Sequence, residues 1–163
     1  MATPFTTSPL VGSNIGSPSA DATFSLGTEM LGTGNSNWVY GQAASAISQY
    51  RAVCIDQNGQ AKNLTKTLVD AGNTVAIAQA AFASGEYGWF CRQGFDLSAN
   101  IKVRVLASCA AGASLYTSAT AGALDDSSTS QTEIIGIVIV TAASSSATDR
   151  SCIITTPLHA RNI

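Results

Sequence analysis

The stretch RAVCIDQNGQAKNL, residues 51 to 64, decides the fold class. Two short β-type runs flank Asn58-Gly59, a pair able to supply the positive φ angles of a type I′ turn, so the segment reads as a β-hairpin. Similar runs recur on either side of it between turn signals. NWVYGQ (37–42) precedes it, and NTVAIAQA (73–80) follows with Val75 and Ile77 on one face and the small Ala76 and Ala78 on the other, where another layer can approach closely. EYGWFCRQG (86–94) sets Tyr87, Trp89 and Cys91 against Gly88, Phe90 and Arg92, with both faces covered at least in part. IKVRVLA (101–107) alternates Ile101, Val103 and Val105 inward against Lys102 and Arg104 outward.

Two further runs complete the expectation. IIGIVIV (134–140) is β-branched apart from Gly136 and shows no alternation, which predicts a central strand buried on both faces. SCIITTP (151–157) reads as the final strand, stopped by Pro157. QAASAISQY and AQAAFAS are rich in alanine but carry neither a cap nor a long apolar stripe, so they are weak helix candidates. The chain is therefore expected to be mainly β, a compact antiparallel β-barrel or sandwich over residues 36–157. An extended N-terminal arm over residues 1–35 and a C-terminal tail over 158–163 flank it. The arm is drawn from its Ser, Thr, Gly and Asn content, three of the four prolines, and the absence of Lys and Arg.

Composition narrows the function classes. Only 11% of the 163 residues are charged and the formal net charge is −2, against about a quarter charged in an average soluble protein. Eight cations spread along the chain make no field for a phosphate backbone, which argues against nucleic acid as a partner. No apolar run approaches the roughly twenty residues of a membrane-spanning helix. A surface this neutral repels its neighbours weakly and suits a protein that works packed against others.

Side chains able to do chemistry are few and scattered. Cys54, Cys91, Cys109 and Cys152 show no C-x-x-C spacing, and with no basic-then-apolar leader they read as buried free thiols. His159, the single histidine, lies in PLHARNI, a poor place for an oriented base, and no G-x-S-x-G elbow is present. Asp125 and Asp126 are adjacent, and neighbours on a strand point oppositely, so in their Ser/Thr-rich setting they read as turn-closing acceptors. DDSSTSQTE lacks the alternation and glycine of a calcium loop, and GTGNSN (32–37) lacks the Lys-Ser/Thr ending of a phosphate loop. No catalytic, cofactor-binding or metal-binding residue is expected. Trp38, Tyr40, Tyr87, Trp89 and Phe90 read as core or interface rather than a stacking platform.

The longer pattern resembles a known family. FSLGTEMLGTGNSNWVYGQAASAISQYRAVCID, VAIAQAAFASGEYGWFCRQG, ASCAAGASLYTSATAGALDD and IIGIVIVTA, in order over residues 24 to 157, are similar to head decoration, or cement, proteins of tailed bacteriophages. These are small structural proteins encoded beside major capsid genes. The pattern is a YGW strand ending at Gly94, a strand like IKVRVLASCA, then G-x-x-LYTS-x-x-AG-x-L and a later I-x-G strand; Cys91, Arg92 and the region before residue 24 depart from it. The resemblance implies that Leu115, Tyr116 and Gly122 belong to a barrel and its turns and Gly136 to a core strand. It also implies a non-enzymatic virion protein made in the bacterial host cytoplasm. Such a protein binds the major capsid protein on the outer capsid surface and locks neighbouring subunits together, as a homo-oligomer with a trimer favoured.

On physical grounds an extended arm with intermittent apolar residues can add a strand to an exposed sheet edge or lie in a groove between subunits. Its candidate capsid contacts are Phe5, Leu10, Val11, Ile15, Phe24 and Leu26. The alternative is a host- or carbohydrate-binding module on the virion exterior, which requires Trp38 and Trp89 to be exposed.

Overall fold

The computed structural model describes residues 14–94 and 100–159. Its elements are β1 (Glu29–Gly32), β2 (Ser36–Ala43), β3 (Ala52–Ile55), β4 (Gln60–Asn63), α1 (Lys66–Asp70), β5 (Thr74–Ala78), β6 (Tyr87–Gln93), β7 (Lys102–Val105), β8 (Leu115–Thr117), β9 (Leu124–Asp125), β10 (Glu133–Ile139) and β11 (Thr148–His159). The chain is mainly β and closes into two barrels.

In the first barrel the order β2-β4-β3-β5-β6 returns to β2, and β1 is appended to β2. Its interior is lined by Val39, Ala43, Val53, Ile55, Ala61, Ala76 and Ala78 and filled by Phe82 and Phe90, whose rings stack with centroids 4.6 Å apart. Alanines on facing strands leave room for the two aromatic rings, which is the close approach foreseen at Ala76 and Ala78. The 51–64 hairpin forms as β3 and β4, but its turn differs from expectation. Only Gly59 has positive φ (75°). Gly59 N–H donates to the Asp56 carbonyl (2.9 Å), and Asp56 Oδ1 accepts from the N–H groups of Asn58 and Gln60 (2.9 and 3.0 Å). A carboxylate at the turn entry thus does what a second positive-φ residue would have done.

The two alanine-rich segments are the crossovers of this barrel, and neither is helical. They are related by an internal pseudo-two-fold. Ile47 and Phe82 exchange both backbone hydrogen bonds (2.9 and 2.8 Å). Tyr50 N–H donates to Ala78 O as Gly85 N–H does to Ala43 O, both at 2.7 Å, and Ala78 N–H donates to Arg51 O as Ala43 N–H does to Glu86 O. Tyr50 and Gly85 share the left-handed conformation, with φ of 66° and 88°. The only helix among the described residues, α1, begins where Thr65 caps Leu68 N–H and buries Val69.

The second barrel has the order β10-β11-β7-β9-β8 and encloses Val103, Val105, Leu115, Leu124, Ile134, Ile137, Ile139, Cys152 and Ile154. As read from the sequence, Val103 and Val105 point in, while Lys102 and Arg104 are only half-buried. β10 corrects the expectation of burial on both faces. Ile134, Ile137 and Ile139 are buried, whereas Ile135 and Val138 are 49% and 40% exposed, because a barrel wall has one wet face whatever its side chains. β11 likewise does not stop at Pro157. The β10–β11 register jumps from Ile135↔Leu158 to Ile137↔Ile154, leaving Thr155, Thr156 and Pro157 opposite Gly136 in a bulge. A proline there has no ladder bond to break, so the strand continues to His159.

One core cluster serves both barrels. Trp38, Tyr40, Cys54, Val75, Ile77, Trp89 and Cys91, on the outer wall of the first barrel, pack in the same cluster as the interior of the second. Backbone bonds knit the junction: Gly94 and Ile154 exchange two (2.9 and 2.8 Å), and Arg104 N–H donates to Tyr50 O (2.8 Å). The Gln79 side chain donates to Lys102 O and accepts from Lys102 N–H. Thr132 Oγ1 donates to Asp70 Oδ1 (2.7 Å) and accepts from Lys66 Nζ (2.8 Å). Of the expected arm, residues 14–35 lie against the first barrel: Ile15 is in the shared core, Ser19 and Tyr87 exchange two backbone bonds, and Glu29–Gly32 is strand β1.

Candidate functional site

Side chains considered for chemistry are engaged within the fold. Asp126 Oδ2 accepts from Ala110 N–H (2.8 Å) and Asp125 Oδ1 accepts from Asp126 N–H (3.0 Å), so both carboxylates hold backbone at the β9 end. Partial burial raises the Asp125 carboxyl, with its neighbour Asp126 adding to the rise against a hydrogen bond that lowers it. The four cysteines are buried free thiols. Burial pushes Cys54 and Cys152 up to about 12, and burial together with Asp126 and Asp125 pushes Cys109 to about 11. Cys91 is also raised, mainly by burial and then by Cys152. None is a thiolate near neutral pH, and nucleophilic thiol chemistry needs one. His159 ends β11 opposite Ile134, far along a barrel strand rather than in a tail. No group of three His, Cys, Asp or Glu able to hold a metal occurs among the described residues.

The aromatic residues form core. Trp38 and Trp89 are 0% and 2% exposed. Phe24 lies 5.3 Å from both Tyr40 and Trp89, capping the cluster from the N-terminal side. The sugar platform that needs these tryptophans at the surface is therefore not formed by them. Of the six candidate contact residues, Phe5, Leu10 and Val11 lie outside the described residues. Ile15 is buried at 2%, Phe24 is half-buried, and Leu26 is exposed. Ile15 and Phe24 are thus spent on the protein's own core, because the exposed outer wall of the first barrel needs covering.

Exposed large apolar side chains stand elsewhere. Leu31 on β1 is 69% exposed, and Ile135 and Val138 stand on the outer wall of the second barrel. Beside β10 the ladder to β8 covers only Glu133↔Tyr116 and Ile134↔Leu115, and resumes where Gly112 N–H donates to Ile139 O. A cavity of about 220 Å³ opens between these points. At the first barrel, a cleft of about 290 Å³ lies between β1 and the Asp56–Gly59 turn, and one of about 480 Å³ adjoins it along Ile55–Asn58 and Thr74. The larger is walled chiefly by Gln57, Asn58, Asn73 and Thr74, and the smaller also by Leu26, Val39 and Ile55; Arg92 pairs with Glu29, and Asp56 is committed to the turn.

Reading from residues missed β1, because EMLG lies within a polar stretch; its signal was only the adjacent apolar pair Met30-Leu31 between Gly27 and Gly32. No protein-family model, curated protein or solved structure matches this chain.

Proposed function

We propose that this chain is a non-enzymatic head decoration protein of a tailed bacteriophage. It binds the major capsid protein on the outer surface of the shell and clamps neighbouring subunits, acting as a homo-oligomer, with a trimer favoured. One observation carries the reading: the sequence pattern that resembles cement proteins runs through a double β-barrel at positions of architectural use. Leu115 is buried in the second barrel, Gly122 is a positive-φ turn (75°) against Arg51, and Gly136 lies opposite the β11 bulge at φ 93°. The low charge and the exposed Leu31 suit a protein that functions packed against a lattice. Stabilisation follows from linkage: a ligand that binds only the assembled shell lowers its free energy relative to free subunits.

The test is co-sedimentation of the purified protein with bare, expanded heads of the virus that carries this gene, with copies counted per shell. Saturable binding in a multiple set by shell symmetry, with a raised melting temperature of the shells, is expected. Absence of binding overturns the reading.

A further inference from the structure

The two barrels leave one strand with a single neighbour. Among the described residues every strand from β2 to β11 pairs on both sides, while β1 pairs only with β2. Thr28 C=O accepts from Tyr40 N–H, so alternation along the strand turns the N–H and C=O groups of Glu29 and Leu31 away from β2, toward the free edge. Such a row of unpaired backbone groups is a template for another strand. Natural edges are commonly blunted by shortness, charged side chains, proline or a bulge. β1 is short and carries Glu29, but Arg92 pairs with that carboxylate; the strand has no lysine or proline and carries Leu31, the most exposed large apolar side chain described. The flanking cleft of about 290 Å³, between β1 and the Asp56–Gly59 turn, gives an added strand somewhere to lie.

The chemistry of the slot selects the occupant. Unpaired backbone groups specify an extended peptide. Glu29 is neutralised by Arg92 and Asp56 accepts two backbone bonds, so neither favours a charged ligand. We infer that the free edge of β1 receives an extended, uncharged segment of the major capsid protein, with an apolar residue beside Leu31. The partner's identity rests on the decoration reading; the slot rests on the edge and its cleft. Each copy gains few backbone bonds, and the repeated lattice supplies avidity.

Binding of the full chain to bare expanded heads is compared for wild type, Leu31→Pro, Asn58→Trp and Ile135→Lys, with the fold of each checked by thermal melting. Leu31→Pro deletes an N–H that faces away from β2, and Asn58→Trp narrows the cleft from an exposed turn position. Both are expected to weaken binding about tenfold or more, with Ile135→Lys close to wild type. Should Leu31→Pro fail to fold, Asn58→Trp decides. If wild type binds and both slot variants bind as well, or if only Ile135→Lys loses binding, the slot is overturned while the decoration reading stands. If wild type itself does not bind, the decoration reading falls and the named partner falls with it.

Discussion

The two barrels reach closure by different means. The first is small-bored, with alanines on facing strands and a single Phe82–Phe90 stack at its centre, and its two crossovers obey an internal two-fold. The second is filled by β-branched and leucine side chains, and its wall is irregular, with a bulge opposite Gly136 and a short β8–β10 ladder. Yet the outer wall of the first and the interior of the second form one apolar cluster. Closure is therefore local to each barrel, whereas stability belongs to the pair.

The strongest way to break that view is to empty the first barrel. Phe90→Ala removes a fully buried ring and is expected to cost ~3–5 kcal/mol. Because the core is shared, Cys152 in the second barrel should become reactive to thiol reagents at the same denaturant concentration at which the buried Trp38 and Trp89 become solvated. Cys152 still protected after the tryptophan transition is complete would show two independently stable barrels.

The bulge supplies the next test. Gly136→Ala places a Cβ 2.9 Å from Thr155 O at φ 93°, whereas Gly72→Ala meets nothing within 4 Å at φ 85°. Both incur the left-handed strain, but only the first also collides with backbone. Gly136→Ala should cost ~1–3 kcal/mol and Gly72→Ala about 1 kcal/mol. Equal urea midpoints for the two variants would mean that the bulge relaxes and is not a rigid part of the second barrel.

A third effect is smaller at any one pH step. The Cys152 thiol is raised to about 12 in the folded protein from an ordinary value of 9.0. Above pH 9 the unfolded chain loses this proton while the folded chain keeps it. The stabilisation is complete below pH 9 and is lost as pH rises toward 12. Between pH 9 and 10 this one thiol should remove ~1 kcal/mol. Cys152→Ala should flatten the alkaline fall in melting temperature relative to wild type; an unchanged slope would show that Cys152 titrates normally.

What could be read from the sequence was what repeats locally. The hairpin at Asn58-Gly59, the two faces of Tyr87–Gln93 and the alternation of Lys102–Val105 follow from a period of two and from turn residues. β10 was misread because its outward residues Ile135 and Val138 are as apolar as its inward ones, which erases the alternation. Pro157 was misread because a bulge makes a proline harmless, and a bulge is a property of the strand pair. The internal two-fold was hidden because equivalent positions carry unlike residues, Tyr50 against Gly85, and the visible QAA repeats at 42–44 and 79–81 are out of phase with it. Burial of the cysteines and the backbone-holding role of Asp125 and Asp126 were legible. The edge of β1 was not, since an edge is defined by which strands are absent.

The smallest expected effect tests the outer wall of the second barrel directly. Ile135 and Ile137 are two residues apart and chemically identical, but the bulge at Gly136 and the pleat leave one at 49% exposure and the other at 1%. Ile137→Lys would bury a charge among Ile134, Ile139 and Ile154 and should unfold the protein. Ile135→Lys, on the wet face, should shift stability by less than ~0.5 kcal/mol. If Ile135→Lys is instead as damaging as a core substitution, and the wild-type melting temperature rises with protein concentration, that face is covered by a second copy in solution. The incompletely covered outer wall of the second barrel would then be the signature of an interface between copies.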